Sequence, residues 1–208
     1  VRLFNYHRAS HMLIRPKKNY TRTTWSKHWL RKHPNLVKDV SVNRAEQLWV
    51  SDITYVKTQD ENCFLSLVTD AYSRRIMGYH VSDNLKAESV MLALEMAISR
   101  RMYNQELIHH SDRGIQYCAE PYQNMLLKYG MKCSMTDGYD CYQNALAERM
   151  NGILKHEFLL HLPKNMEQLK KMVAQSVNVY NTKRPHLALN MKTPDQKHKE
   201  KSQVDETT

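Results

Sequence analysis

The 208-residue chain lacks several features that would assign it to other classes of protein. It contains no apolar run near the roughly 20 residues that a membrane-spanning helix needs. Its opening stretch, VRLFNYHRASHM, holds no apolar segment of the kind found in secretory signals. Its four cysteines form no C-x-x-C pair, which argues against a zinc ribbon or a redox motif. We therefore expect a cytosolic protein with no membrane partner.

The cysteines are expected to be reduced thiols, because nothing marks the chain for an oxidising compartment. They are Cys63, Cys118, Cys133 and Cys141. His7 and His11 have the H-x3-H spacing of a zinc finger, but the cysteine half of such a site is missing, so we do not predict zinc.

Acidic residues are almost absent from the first 45 residues, which contain Asp39 alone. The same segment carries eleven Lys or Arg, so it accounts for the whole net charge of +10. Tyr20, Trp25 and Trp29 are interleaved with these charges, a pattern that suits contact with phosphates and stacking on bases. We predict that residues 1–45 form a basic arm that contacts DNA. The candidate contacts in the arm are Arg15, Lys17, Lys18, Arg22, Lys27, Arg31 and Lys32.

An alternative interpretation of the arm is a solvated linker whose aromatic residues dock on the body. The body is predicted to span residues 46–194, and the polar tail 195–208 is predicted to be disordered. In the body, β-type composition predicts three consecutive strands, and later segments alternate between helical and β-type patterns. The predicted strands are 48–57, 63–69, 75–81, 106–110 and 131–135, and the predicted helices are 85–102, 120–128, 144–160 and 166–181. This order predicts an α/β fold with a mixed five-stranded sheet flanked by helices, which is the order of the ribonuclease H-like fold.

Three acids lie in different predicted elements: Asp52 within the first strand, Asp112 after the fourth and Glu148 in a helix. Each alone has an ordinary explanation, as an edge-strand residue, a turn former or a solvated helix residue. Together, carboxylates without His or Cys partners are hard oxygen ligands that suit Mg²⁺ or Mn²⁺. Two such ions can promote an in-line displacement at phosphorus, so phosphodiester hydrolysis or transfer is the predicted reaction class.

The helix that carries Glu148 has a polar stripe at helical spacing, which makes a merely solvated glutamate a weaker explanation. The stripe consists of Asn144, Glu148, Asn151, Gly152 and Lys155. Glycine costs a helix about 1 kcal/mol relative to alanine, so we expect a strand or a phosphate backbone to approach Gly152 closely. Lys155, Asn144 and Arg149 are further candidates for contact with DNA.

At these residues the sequence closely resembles the integrase-core transposases of bacterial insertion sequences, the OrfB type within the retroviral-integrase superfamily. Intervals of 59 residues between Asp52 and Asp112 and 35 between Asp112 and Glu148, with a lysine seven residues later, are specific to this group. The matching motifs are LWVSDITYVKT, VTDAYSRRIMGY, IHHSDRGIQY, NALAERMNGILKHE and YNTKRPHLALNMKTP, which together extend over residues 46–194.

The resemblance implies a DDE transposase that cuts DNA at the ends of its element and directs the freed 3′-hydroxyls at a new phosphodiester. It implies that Asp52, Asp112 and Glu148 are the catalytic residues and bind two Mg²⁺ or Mn²⁺ ions, and that Lys155 positions the end DNA. The implied partners are double-stranded DNA, as terminal inverted repeats and as target, and further copies of the chain assembled on it, in the bacterial cytosol or nucleoid. The arm resembles the stretch that follows a helix-turn-helix module in the family. That module has no counterpart here, and the first residue is Val1 and not Met, so we expect a fragment.

Two alternative functions remain open at this point. One is a ribonuclease H-like nuclease that hydrolyses DNA without joining it, against which the spacing of the acids and the C-terminal motif argue. The other is a truncated DNA-binding protein that occupies the element's ends and represses transposition without catalysis.

Overall fold

The strands of the computed structural model form one mixed sheet, as predicted. They are β1 (Leu48–Lys57), β2 (Asn62–Asp70), β3 (Ile76–Ser82), β4 (Leu107–Ser111) and β5 (Met131–Met135). Their order in the sheet is β3-β2-β1-β4-β5. β1, β2 and β3 pair antiparallel as a meander, whereas β4 pairs parallel with both β1 and β5. The structure describes residues 28–38, 40–137 and 144–200.

Helices cover both faces of this sheet. They are α1 (Ala87–Ser99), α2 (Ile115–Cys118), α3 (Glu120–Lys128), α4 (Ala145–Ile153), α5 (Met166–Lys183) and α6 (Pro194–His198). A π-helical turn, Leu154–Phe158, continues α4, and a 3₁₀ turn, Leu187–Leu189, follows α5. In the part of the chain that the structure describes, none of the helices has the length and apolar character that crossing a membrane requires.

The alternation of side chains along β1 divides the core into two main clusters, one on each face of the sheet. Trp49 is fully buried on one face, in a cluster that includes Leu94 of α1. Val56 points to the other face, where it packs in a cluster with Met150 of α4. Asp52 is an even-numbered residue like Val56, so the pleat of β1 directs its carboxylate toward α4.

The predicted strands and the four predicted helices are confirmed, with differences at their ends. The helix predicted over 144–160 is α-helical only to Ile153 and then widens into the π-helical turn. The short helices α2 and α6 and the 3₁₀ turn are additional to the prediction, because elements of three to five residues are too short to display a helical period. Cys63, Cys118 and Cys133 are free thiols, as expected, and Cys141 lies outside the described residues.

The described part of the arm packs against the body next to β5. The backbone N–H of Met135 donates to the carbonyl of Pro34 at 3.2 Å, and the N–H of Leu36 donates to the Oγ of Ser134 at 2.9 Å. Trp29, however, is 92% exposed, so this aromatic residue is not docked on the body. The other two aromatic residues named in the arm lie outside the described residues.

The start of the polar tail is ordered, which corrects the prediction of disorder from residue 195. Thr193 and Gln196 form a reciprocal capping box that begins α6, with Pro194 in its first turn. His198, at the end of the helix, is fully buried and contacts two buried acids. Its Nε2 lies 3.2 Å from Glu46 Oε1 and its Nδ1 lies 3.6 Å from Asp70 Oδ1. Residues 201–208 lie outside the described part of the chain.

We expect this buried histidine to make stability depend on pH. Burial alone would lower the pKa of His198, but its hydrogen bonds to Asp70 and Glu46 outweigh burial and raise the pKa above its usual 6.5. A raised pKa means that the stabilisation is complete below pH 6.5 and is lost as the pH rises through the folded-state value. His198→Gln should therefore destabilise the protein most at pH 6 and least at pH 9, by roughly 1 to 3 kcal/mol at the acidic end.

Urea unfolding of the wild type and of His198→Gln across pH 6 to 9 measures this difference. His161→Gln is the matched control, because His161 is exposed. A difference between wild type and His198→Gln that stays constant with pH would contradict the expected charge on His198.

Candidate active site

Asp52 lies in the middle of β1 and faces α4. Its Oδ2 accepts a hydrogen bond of 2.8 Å from the side-chain amide of Asn151, one turn beyond Glu148 on that helix. Asp52 is half-buried. A strand buried on both sides is an unusual place for a carboxylate, and the amide of Asn151 fixes the direction in which it points.

Asp112 follows β4 directly and comes alongside Asp52 because the two strands are parallel. Their pairing ends with Ser51 opposite Ser111, so the next residue of each strand is an aspartate. Asp112 Oδ1 accepts a hydrogen bond of 2.9 Å from the backbone N–H of Gly114. A Cβ at Gly114 would lie only 2.9 Å from that same oxygen, so glycine keeps the carboxylate in this position.

Glu148 occupies the first turn of α4, on the side of the sheet to which Asp52 points. The buried residues Ala147 and Met150 anchor the helix on that face, while the Glu148 side chain is exposed. Its pKa is raised, first by partial burial and then by the negative charge of Asp112. The helix therefore brings the third acid into the electrostatic field of the second.

The electrostatics of Asp52 link all three acids. Burial, the charge of Asp112 and the smaller effect of Glu148 raise the pKa of Asp52 to about 7, against the lowering effect of hydrogen bonds from Ile53 and Asn151. So high a pKa means that the protein compensates the negative charge of the ionised carboxylate poorly. A cation at this position would relieve the repulsion.

The chemistry of these donors fits Mg²⁺ or Mn²⁺, which prefer carboxylate oxygens. Among residues 28–38, 40–137 and 144–200, no three His, Cys, Asp or Glu side chains converge closely enough to form a complete metal site. Mg²⁺ keeps several waters and usually takes one or two carboxylates together with substrate phosphates. The neighbouring carboxylates of Asp52 and Asp112, with Glu148 to one side, provide the one or two protein ligands that Mg²⁺ needs in such a site.

The polar stripe of α4 faces β1, as its spacing suggests. The amide of Asn144 donates to the carbonyl of Ser51 at 3.1 Å, and Lys155 Nζ donates to Thr54 Oγ1 at 2.9 Å. Burial lowers the pKa of Lys155, while the charge of Asp52 acts in the opposite direction. The stripe therefore docks the helix along the strand that carries the first acid.

The structure bears on two expectations about this helix. Asn144 is only 5% exposed and is used to dock the helix, which does not fit the predicted contact with DNA. Among the described residues, no atom outside the backbone of its own helix lies within 4 Å of where a Cβ at Gly152 would stand, so none of the described strands approaches it closely. The approach of a phosphate backbone stays a prediction.

Other predicted contact residues have varied positions. Arg149 and Lys155 are on α4 and its continuation, the first exposed and the second half-buried, while Arg31 and Lys32 of the arm are exposed. The remaining candidates of the arm, namely Arg15, Lys17, Lys18, Arg22 and Lys27, lie outside the described residues.

Sequence reasoning missed a buried hydrogen-bond chain behind the first acid. His109 Nε2 lies 2.8 Å from Ser51 Oγ and 2.9 Å from the hydroxyl of Tyr122. Burial, with a smaller effect of the neighbouring His110, lowers the pKa of His109 to about 3, so the ring is neutral at pH 7. The two consecutive histidines in LIHHSD are the only sequence feature that points to this hydrogen-bond chain, and the contact with Tyr122 depends on the fold.

The sheet order, with an aspartate on β1, another directly after the adjacent strand β4 and a glutamate on a packed helix, is that of a ribonuclease H-like integrase core. Solved structures have the same fold. One is the simian T-cell lymphotropic virus intasome in complex with PP2A regulatory subunit B56 gamma, with a TM-score of 0.68, 18% identity and coverage of 88% of this chain and 63% of that chain. Another is the HTLV-2 integrase catalytic core domain in complex with magnesium, with a TM-score of 0.60, 22% identity and coverage of 74% and 97%.

Two integrase core domain family models match the chain, at residues 42–141 and 129–194. The insertion element IS600 uncharacterized 31 kDa protein of Shigella sonnei is 34% identical over 93% of this chain and 72% of its own length. The putative transposase for insertion sequence element IS986/IS6110 of Mycobacterium tuberculosis is 38% identical over 54% of this chain and 42% of its own length. The chain belongs to the integrase-core transposases of bacterial insertion sequences.

Proposed function

We propose that this chain contains the catalytic core of a transposase that cuts DNA at the ends of an insertion sequence and joins the resulting 3′-hydroxyls to new DNA. The observation that carries the proposal is the electrostatic coupling of Asp52, Asp112 and Glu148, which come from β1, the end of β4 and α4. Burial first, and then the charges of Asp112 and Glu148, raise the pKa of Asp52 to about 7, so its negative charge is costly unless a cation binds there.

Asp52, Asp112 and Glu148 are the residues that would hold Mg²⁺ or Mn²⁺. When bound, a pair of these ions would activate the attacking oxygen and stabilise the leaving oxygen at phosphorus. Asn151 orients the carboxylate of Asp52, and the N–H of Gly114 orients that of Asp112. Lys155 supplies a positive charge beside them, suited to a phosphate of the end DNA.

The names of one relative and of two structural neighbours support the proposal. One relative is named as a putative transposase for an insertion sequence, and one structural neighbour is described in complex with magnesium. The same neighbour occurs in trimeric and dimeric forms, and another is an intasome. We propose by analogy that the chain uses a divalent metal, assembles as a homo-oligomer on the element's ends and target DNA, and acts in the bacterial cytosol or nucleoid.

A joining assay tests the reaction class. A labelled duplex that ends in the terminal repeat of the element carrying this gene, with a pre-cut 3′-hydroxyl, is incubated with plasmid and Mg²⁺. We expect label to become covalently joined to the plasmid, because the 3′-hydroxyl is the attacking group. The matched control is the same duplex with a 3′-dideoxy end, which should yield no joined product.

The other outcomes identify the competing functions. Metal-dependent shortening of the DNA without joining would favour a nuclease. If a folded sample binds the ends but neither cuts nor joins them with Mg²⁺ or Mn²⁺, a non-catalytic repressor is the better account.

A further inference from the structure

A cleft of about 480 Å³ lies between α4 and the segment that follows α5. Three arginines line it: Arg149 of α4, Arg184 after α5 and Arg74 from the turn between β2 and β3. Leu187, which also lines the cleft, is 85% exposed. The cleft is therefore open to a large ligand and strongly basic.

The basic charge of the cleft is only partly neutralised. Arg184 forms two hydrogen bonds of 2.7 Å with the carboxylate of Glu157. In the described part of the chain, the side chains of Arg74 and Arg149 form no hydrogen bond or ion pair. His186 adds no charge at pH 7, because burial and the nearby arginines, Arg184 foremost, lower its pKa to about 4. Even with Glu157 and the charge of Asp70 near Arg74, three arginines leave a net positive charge in the cleft.

Contacts that stabilise the fold account for the presence of one of these arginines, but not of the other two. Arg184 has structural contacts in its pair with Glu157 and in its position over the ring of Tyr180, 6.0 Å from the centroid. Arg74 is half-buried, and its burial lowers its pKa. Tyr180 and Asp70 act in the opposite direction, and the charge of Arg149 adds a smaller lowering effect. Two like charges that repel one another cost stability, and an anion between them would remove that cost.

The chemistry of the cleft favours a phosphate. Guanidinium groups bind phosphate oxygens through paired N–H donors, with a geometry that a lysine lacks. Glu148 and Arg149 are consecutive in α4, so the cleft and the acidic site border the same helix. A helix is about 10 Å across, which corresponds to about three nucleotides at 3.4 Å each along a DNA strand.

We propose that this cleft binds a backbone phosphate of the DNA whose scissile end lies at the acidic site, through Arg74, Arg149 and Arg184. The identification of the anion as DNA rests on the proposed function. In this proposal, the segment after α5, which contains Arg184, binds the DNA next to α4, the helix that carries Glu148.

The test is the salt dependence of DNA binding, measured by fluorescence anisotropy with a 30-base-pair duplex and a chelator, so that no chemistry is needed. Each phosphate contact contributes about 0.9 to the slope of log K against log salt. Arg149→Gln should lower this slope by about 0.9 and weaken binding about tenfold at 0.1 M salt. The double variant Arg74→Gln/Arg149→Gln should lower the slope by the same amount, about 0.9, because the cleft holds one phosphate, and should weaken binding further than Arg149→Gln does.

Two control variants keep the result interpretable. Arg149→Lys should recover most of the slope, because a lysine retains the positive charge. Lys128→Gln removes an exposed positive charge at the end of α3, on the other face of the sheet, and should leave the slope unchanged. Arg149 is exposed, so its substitution does not threaten folding even if Arg74→Gln does.

Unchanged slopes for Arg149→Gln and for a folded double variant would overturn the proposal, as would a wild type that binds DNA without salt dependence. A second arm measures the melting temperature with inorganic phosphate. Loss of a phosphate-induced stabilisation in the double variant, with no change in the DNA slope, would mean that the cleft takes a free phosphate, which contradicts the DNA assignment. Failure of the joining assay alone would refute the proposed reaction without altering this binding result.

Discussion

Asp52→Asn is expected to lower metal-dependent DNA cleavage and joining by at least about a thousandfold, since even the loss of a residue that only supports a metal ligand typically costs 10- to 100-fold. The asparagine keeps the shape of the side chain and can still meet Asn151, but it removes the negative charge that a divalent metal requires. Gel-based kinetics with end-containing DNA and Mn²⁺ measure the loss. DNA binding should change much less than the rate.

Stability separates a catalytic loss from a folding loss in this variant. Because the pKa of Asp52 is raised to about 7, its ionisation in the folded state destabilises the protein as the pH rises from about 4 to above 7. Asn carries no such charge, so Asp52→Asn should be more stable than wild type at pH 8, by roughly 2 to 4 kcal/mol, and similar to it only near pH 4 and below. Asp60→Asn, which changes an exposed acid of the β2 hairpin, is the control. A folded Asp52→Asn protein with wild-type cleavage would refute the catalytic assignment.

Gly78→Ala is expected to destabilise the fold by more than about 3 kcal/mol through overpacking. Gly78 lies in β3, directly under α1. A Cβ there would stand 2.0 Å from the carbonyl oxygen of Ala93 and 2.7 Å from the backbone nitrogen of Ala97. Both are backbone atoms of α1, so the clash can be relieved only by moving the helix away from the core. Urea unfolding monitored by circular dichroism measures the effect.

Gly152→Ala is the matched comparison, because no atom of the described residues outside its own helix backbone lies within 4 Å of the added methyl group. Alanine favours a helix over glycine by about 1 kcal/mol, so this variant should be slightly more stable than wild type. If Gly78→Ala unfolded at the same urea concentration as wild type, the close packing of α1 on β3 would be wrong.

The acids of the site and the sheet that carries them could be predicted because their signals are local. The alternation in β1 identifies the face of Asp52, and the stripe on α4 identifies the face of Glu148. The buried polar contacts could not be predicted, because they depend on residues far apart in the chain. Asn151 meets Asp52 across 98 intervening residues, and no periodicity indicates which amide will meet which carboxylate.

The C-terminal segment is a second region whose structure could not be predicted, because its order also depends on residues far away in the chain. Its composition is polar, and polarity alone predicts disorder. The structure orders its first residues because the charged partners of His198, Glu46 and Asp70, are supplied by the start of the body and the end of β2. A polar sequence can therefore be buried when the fold brings it opposite charges.

The most direct test of the central claim, that Asp52, Asp112 and Glu148 together hold the divalent metal, is calorimetric titration of Mn²⁺ into the protein bound to uncleaved end DNA. The wild type is predicted to bind about two ions for each active chain, as two-metal phosphoryl transfer requires. Asp52→Asn, Asp112→Asn and Glu148→Gln are each predicted to lose at least one of these ions, while Asp60→Asn retains both. Equal stoichiometry and affinity in the wild type and in all three site variants would contradict the account.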